Sequence, residues 1–128
     1  MDTTWARRVA LARTVLGAGA VLTPKLMGTI FFNAEEASRP PSRALGRLFG
    51  IRDVALGVGA LQAISQGSGE DFVRLGMACD VADVAAIAAG TGKLPARTVL
   101  LGAGTAALFA FAGWKALSGG GDEPLMTS

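Results

Sequence analysis

Four apolar segments, each about as long as a helix that crosses a bilayer, divide this chain. They cover residues 5–22, 44–65, 72–89 and 95–117, and a membrane-spanning helix needs roughly 17–25 residues. Alanine is abundant and no run alternates with a period of two, so strands are not expected. The pattern predicts an all-α protein with four transmembrane helices in an antiparallel bundle.

The composition supports a membrane environment. Hydrophobic residues make up 51% of the 128 residues and charged residues 17%, against about 25% charged residues in an ordinary soluble domain. The mean hydropathy is +0.45, and a soluble domain of this size would expose large apolar patches. Three of the four segments nevertheless contain charges, so a soluble bundle of hydrophobic helices is the alternative.

The stretches between the segments define the expected domain. Residues 26–32 follow a helix-ending proline, Pro24, and are too short to span, so we expect them at the membrane interface. Residues 33–43 are predicted to form a charged loop, and residues 66–71 a turn. The glycine-rich stretch 118–128 is predicted to be a disordered tail, which leaves 1–117 as the four-helix membrane domain.

Several classes of site are excluded by composition. The chain has no histidine, which removes histidine-based catalytic triads and zinc–histidine or haem–histidine sites. Its one cysteine, Cys79, allows no disulfide within the chain. The net charge of +2 is too small to indicate nucleic-acid binding. No cofactor is expected.

An arginine and an aspartate, Arg52 and Asp53, interrupt the apolar run 49–59, FGIRDVALGVG. An ionised side chain at the centre of a membrane helix costs at least about 2.5–3.5 kcal/mol, so both must face protein or water. Asp80 and Asp83 lie three residues apart on one face of the next segment. Because a short turn joins the two segments, they should be antiparallel neighbours. We expect Arg52 to bridge Asp83, Asp80 or both.

Small residues surround Asp53 at helical spacing, and such residues let membrane helices approach closely. This small-residue stripe predicts a face that packs on protein; it comprises Gly46, Gly50, Asp53, Gly57 and Ala60. One arginine among three aspartates leaves the charges unbalanced. Either Arg47 or Arg74 reaches in from a helix end, or at least one carboxyl group carries a proton.

A metal site is a weaker interpretation of the aspartates. Membrane alcohol-phosphotransferases hold a divalent metal with aspartate clusters on helices, but their signature has glycine after the first aspartate and D-x-x-x-D later. Here Val54 follows Asp53, and Asp80 and Asp83 form D-x-x-D. No metal is therefore predicted.

The second segment carries a motif: Arg43-Ala-Leu-Gly46, then Gly50-Ile-Arg52-Asp53, then Leu56-Gly57. With the helix-ending Pro24 before it and two shorter helices after it, the chain resembles the small four-helix bacterial membrane proteins grouped as DoxX-like or as domains of unknown function. The resemblance implies a four-helix integral membrane protein and little about a reaction. Nine arginines against three lysines and abundant alanine are typical of a high-GC bacterium, so we expect a multi-pass protein of the bacterial inner membrane.

Three functions are consistent with these features. We favour a structural or accessory membrane protein in which the Arg/Asp cluster is a clasp between helices, with the bilayer and another membrane subunit as partners. The alternative is a membrane-embedded enzyme or binder for a lipophilic small molecule, with Asp53, Asp80 or Asp83 as the acid/base. A second alternative, proton-coupled transport, needs a homo-oligomer, because four short helices enclose little room.

Overall fold

The computed structural model describes residues 1–119, and within this range every regular element is helical. The elements are α1 (Thr3–Leu22), α2 (Pro24–Phe31), α3 (Ala34–Ala37), α4 (Pro40–Ser65), α5 (Glu70–Ala89), a short 3₁₀ turn (Thr91–Lys93), α6 (Ala96–Thr98), a π-helical segment (Val99–Ala103) and α7 (Gly104–Ser118). The prediction of an all-α fold is confirmed. Most of the predicted tail, 118–128, lies outside the described residues, whereas Ser118 ends α7.

The chain turns sharply where α1 gives way to α2. Asp2 begins α1 by accepting a hydrogen bond from the backbone N–H of Trp5 at 3.1 Å. Pro24 occupies the first turn of α2, where its missing N–H is tolerated. The two helices meet at 108°, so α2 lies across the direction of α1 instead of continuing it.

The prediction of a charged loop over 33–43 is wrong, because most of this stretch is helical. Asn33 caps α3, its side chain accepting a hydrogen bond from the N–H of Glu36 at 2.7 Å. Pro40 and Pro41 lie in the first turn of α4. Proline there loses no intrahelical hydrogen bond, so the pair that suggests a loop in the sequence begins a helix instead.

Helix α4 packs most extensively on α1, in an antiparallel pair. A Cβ atom placed on Gly50 would lie 2.6 Å from the carbonyl oxygen of Gly17, and one on Gly57 would lie 2.6 Å from that of Ala10. From Gly50 onward the small-residue stripe therefore faces protein, as predicted, whereas a Cβ on Gly46 would meet no atom within 4 Å. Its partner is α1, which precedes it in the chain, and not α5.

Helices α5 and α7 form the second close pair. Gly113 of α7 lies against Met77, and Gly102 of the π-helical segment lies against Ile87, so the two helices are antiparallel. The C-terminal helix runs without interruption from Ala96 to Ser118, with the π-helical segment in its first half. Between α4 and α5, Gly67 adopts φ +83° in the turn, a conformation that glycine reaches without steric penalty.

The described surface is apolar and the interior is made of small and charged residues. Large hydrophobic side chains are exposed on every long helix, among them Leu11, Val15, Leu48, Ile51, Val81, Leu100 and Phe111. The buried set is mainly alanine and glycine, yet it includes Arg13 and Asp80 at 5% and 2% exposure. Buried charges together with so many exposed large apolar side chains are unusual in a water-soluble domain.

Two helices, Pro40–Ser65 and Ala96–Ser118, are long and apolar enough to cross a membrane. A third candidate arises if α1 and α2 together count as one broken span. Helix α5 is as long as α1 but contains five charged residues, and it is not among these candidates. By length and composition, the described chain thus has two or three candidate spans, compared with the four predicted from sequence.

Candidate functional site: an Arg/Asp network beside an apolar cavity

The predicted pair between α4 and α5 is present. Arg52 donates to both oxygens of Asp83, from Nη1 to Oδ1 at 3.1 Å and from Nη2 to Oδ2 at 2.7 Å. This two-bond fork is the geometry in which arginine holds a carboxylate most strongly. The pair forms because Arg52 and Asp83 lie at equal distances from the turn that joins the two helices.

Asp80 takes a partner that the sequence analysis did not assign to it, Arg13 of α1. Arg13 donates from Nη2 to Oδ2 at 2.6 Å and from Nη1 to Oδ1 at 3.1 Å. The side chains are 6% and 3% exposed, so this is the most deeply buried ion pair that the described residues contain. Gly76 lies one turn before Asp80 on α5. Because glycine has no side chain, the guanidinium group of Arg13 can lie close to the helix there.

Asp53 lies between the two pairs and joins them. Its Oδ1 accepts from Nη1 of Arg13 at 3.3 Å and from Nη2 of Arg52 at 3.5 Å. The longer of these contacts joins neighbours in the chain, and adjacent residues of a helix do not face each other. These five residues, Arg13, Arg52, Asp53, Asp80 and Asp83, are called the Arg/Asp network below, and they connect α1, α4 and α5.

The second cation of the network is Arg13, and the prediction that Arg47 or Arg74 reaches the aspartates is wrong. Three aspartates still face two arginines, so the alternative of a protonated carboxyl group stays a prediction. Arg74 is exposed and pairs with Glu70 on its own helix at 3.1 Å, and Arg47 is exposed on α4. The first apolar segment does contain one signal, since Arg13 is its single charge between residues 9 and 22. The sequence pattern could not pair Arg13 with Asp80, because 67 residues separate the two in the chain.

Two aromatic rings complete the surroundings of the guanidinium groups. Cζ of Arg13 lies 4.8 Å from the ring centre of Phe109 on α7, and Cζ of Arg52 lies 5.0 Å from that of Phe49. Both distances suit a cation–π interaction, which strengthens away from water. Through Phe109, the network also touches the C-terminal helix.

A cavity of about 340 Å³ adjoins the network. Four members of the network line it, Arg52, Asp53, Asp80 and Asp83, and most of the remaining wall is apolar. The apolar wall includes Leu16, Met27, Phe31, Phe49, Ile87 and Phe109. Small-molecule sites in proteins share this form, an apolar chamber of about 300–1,000 Å³ with a few polar groups together.

Helix α2 covers one side of the cavity and is fixed to the start of the C-terminal helix. Thr98 donates from Oγ1 to the carbonyl oxygen of Phe31 at 2.7 Å. Arg97 donates to the carbonyl oxygens of Thr29 and Phe32 at 3.1 and 3.4 Å. These bonds satisfy carbonyl groups that a helix end leaves without partners, and they explain why a short helix can stay folded across the cavity.

The π-helical segment also borders the cavity, because Gly102 and, two residues after the segment, Thr105 line its wall. Single π-turns inside α-helices occur frequently at functional sites. The segment widens the C-terminal helix where it passes α5. The π-helical segment and the Arg/Asp network thus border the same cavity.

The hydrogen-bond pattern ranks the three aspartates as acid/base candidates. Both oxygens of Asp80 and of Asp83 accept from a guanidinium group. Oδ2 of Asp53 has no hydrogen-bond partner among the described residues, and it is not one of the atoms sealed from solvent there. Asp53 is therefore the aspartate of the network with an oxygen that accepts no hydrogen bond from the described residues.

No group of three or more histidine, cysteine, aspartate or glutamate side chains within residues 1–119 is arranged to hold a metal ion. The arginines bond five of the six aspartate oxygens of the network, so too few remain to surround a metal ion. Cys79 is half-buried and free. The arrangement can hold helices together, offer one carboxylate oxygen, and enclose an apolar molecule.

Comparisons with known proteins add no relative. Scans against protein-family models, curated proteins and solved structures find no match to this chain.

Proposed function

We propose that this protein is an integral membrane protein that binds a lipophilic small molecule in the cavity beside the Arg/Asp network. The observation that carries the proposal is the cavity itself, a largely apolar space of about 340 Å³ that four charged residues of the network also line. An apolar body would fill the chamber, and the network would recognise one polar group.

The membrane location is supported by the distribution of residues. Leucine, valine and phenylalanine cover the outside while Arg13 and Asp80 are buried. In this proposal α1, α4, α5 and the C-terminal helix all cross the bilayer as an antiparallel bundle. The charges of α5 are tolerated because Asp80 and Asp83 are paired with arginines inside the protein.

The host membrane in this proposal is the bacterial inner membrane, and the relatives are the DoxX-like proteins. Both rest on the sequence pattern around Arg52 and Asp53 and on the excess of arginine over lysine. Extraction of a membrane fraction with alkaline carbonate tests the integral location. The protein is expected in the pellet, and its recovery in the supernatant would refute the membrane proposal.

Binding is tested with 1-decanol, a neutral lipophilic probe, on the full chain in phosphatidylcholine nanodiscs. Gly46 lines the cavity and a Cβ on it would meet no atom within 4 Å, so Gly46→Leu should fill the chamber without disturbing the helices. Gly104 is equally unobstructed but does not line the cavity, which makes Gly104→Leu the matched control.

Equilibrium dialysis against empty nanodiscs gives the bound decanol. Wild type and Gly104→Leu should retain decanol above the empty-disc value, and Gly46→Leu should not. Equal retention by all three variants, or none by wild type, would refute the binding site.

The second candidate is a structural or accessory role, with the network as a clasp. Two pairs of hydrogen bonds favour this role. Arg13 holds both oxygens of Asp80 and so joins α1 to α5, and Arg52 holds both oxygens of Asp83 and so joins α4 to α5. A pure clasp predicts that substitutions in the network change abundance alone, whereas a binding site predicts that Gly46→Leu abolishes decanol retention at normal abundance.

A further inference from the structure

The Arg/Asp network carries one negative charge in excess beside an apolar cavity. Arg13 and Arg52 supply two positive charges, and Asp53, Asp80 and Asp83 supply three negative ones. Away from water an uncompensated charge is strongly disfavoured. A proton or a cation must therefore accompany the network.

The excess charge is concentrated at Asp53. Asp80 and Asp83 each face their own arginine through two hydrogen bonds. Asp53 has only the two longer contacts, at 3.3 and 3.5 Å, both to Oδ1. Its Oδ2 has no partner within residues 1–119 and is not sealed from solvent, and the residue lines the cavity.

A second unpaired polar group lines the same cavity. The hydroxyl of Thr105 makes no hydrogen bond with any described residue and is not sealed from solvent. Thr105 lies one turn before Phe109 on α7, on the helix face that meets the network. The polar end of the cavity thus offers a carboxylate oxygen and a hydroxyl oxygen, both able to accept hydrogen bonds.

We infer that the ligand of the cavity is a lipophilic monocation, an organic ammonium with an apolar body, and that Asp53 is its counter-ion. This inference rests on the proposed binding function and names its ligand class. One ammonium group would neutralise the network and donate hydrogen bonds both to Oδ2 of Asp53 and to the hydroxyl oxygen of Thr105. The apolar body would lie against Leu16, Phe31 and Ile87 in the chamber.

The test compares three probes with the same ten-carbon chain and different head groups: decylammonium, 1-decanol and decanoate. Each is measured below its aggregation concentration by equilibrium dialysis against the full chain in phosphatidylcholine nanodiscs, with empty discs as the blank. This lipid has no net charge, so it does not itself concentrate the cation. Decylammonium should bind at least about tenfold more tightly than decanol, and decanoate least.

Asp53→Asn keeps the size of the side chain and removes its charge. It should abolish the preference for decylammonium and keep decanol binding. Should Asp53→Asn fail to fold, the comparison of the three head groups on wild type still shows whether the cavity prefers a cation.

Equal binding of decylammonium and decanol, or a preference for decanoate, would overturn the inference and leave the proposed binding function intact. Binding of no probe by wild type would instead refute the proposed function. A preference for decylammonium that survives in Asp53→Asn would overturn the assignment of the counter-ion.

Discussion

Nη2 of Arg13 on α1 lies 2.6 Å from Oδ2 of Asp80 on α5, and both side chains are almost completely buried. Helices α1 and α5 are not the closest neighbours in this fold, since α1 packs mainly on α4 and α5 mainly on α7. The ion pair therefore ties one helix pair to the other. Asp53 extends the same contact to α4.

Arg13→Ala should lower the free energy of unfolding by about 3–5 kcal/mol, because it leaves Asp80 buried without its partner. Arg8→Ala is the matched control, since Arg8 lies on the same helix and is exposed. Unfolding by sodium dodecyl sulfate in mixed micelles measures both variants. An Arg13→Ala protein as stable as wild type would contradict the structural importance of the pair.

Exchanging the charges of Arg52 and Asp83 in a double variant should restore much of the stability that either single substitution removes. Arg52→Asp or Asp83→Arg alone places like charges together and should destabilise the protein by roughly 1–3 kcal/mol. The double variant restores opposite charges across the same 2.7 Å contact, and is expected to regain at least half of the loss in the same unfolding assay.

The control for this exchange is Arg52→Asp with Asp80→Arg, which should regain nothing, because Asp80 is bound by Arg13. Equal rescue by both exchanges would show that the pairing is not specific.

Gly50→Ala should destabilise the α1–α4 pair, whereas Gly46→Ala, one turn earlier, should not. The added methyl at Gly50 would lie 2.6 Å from a backbone oxygen of α1, while the one at Gly46 would meet nothing within 4 Å. Overpacking of this kind costs about 1–3 kcal/mol, and alanine in an open helical position is neutral or slightly stabilising. Thermal unfolding of the two variants tests the prediction. Gly50→Ala should unfold at a lower temperature than Gly46→Ala, and equal unfolding temperatures would contradict it.

Thr98→Val should loosen the end of α2 with little change in global stability. The substitution removes the hydrogen bond to the carbonyl oxygen of Phe31, worth about 1 kcal/mol, and keeps the shape of the side chain. Amide hydrogen exchange over 28–32 should become faster. Thr29→Val is the control, because its hydroxyl bonds within α2, to Lys25, and should leave that exchange nearly unchanged.

Val15, which exposes 64% of its surface, should lie against lipid. In a Cys79→Ala background, Val15→Cys is expected to remain unlabelled by a charged maleimide in membranes opened by freeze–thaw, because a thiolate does not form in hydrocarbon. Ser68→Cys, in the exposed turn before α5, should label readily. Labelling of both cysteines in the opened membranes, before addition of detergent, would argue against the membrane location.

The sequence by itself determined the four long helices and one of the ion pairs, Arg52 with Asp83. The predicted segments 5–22, 44–65, 72–89 and 95–117 agree with the observed long helices to within a few residues. Periodicity and length are local properties, and so is the distance of Arg52 and Asp83 from the short turn between their helices. Such features can be predicted because they depend on neighbours in the chain.

Only the tertiary structure decided which helices pack together, and hence which charges meet. Arg13 reaches Asp80 across 67 residues because the small-residue stripe fits α4 against α1, and shape complementarity between distant surfaces leaves no periodic signal. The 108° bend before α2 has a local cause, Pro24, but its direction comes from the hydrogen bonds of Arg97 and Thr98. The cavity exists because that bend brings α2 over the network, an arrangement that depends on all the helices together.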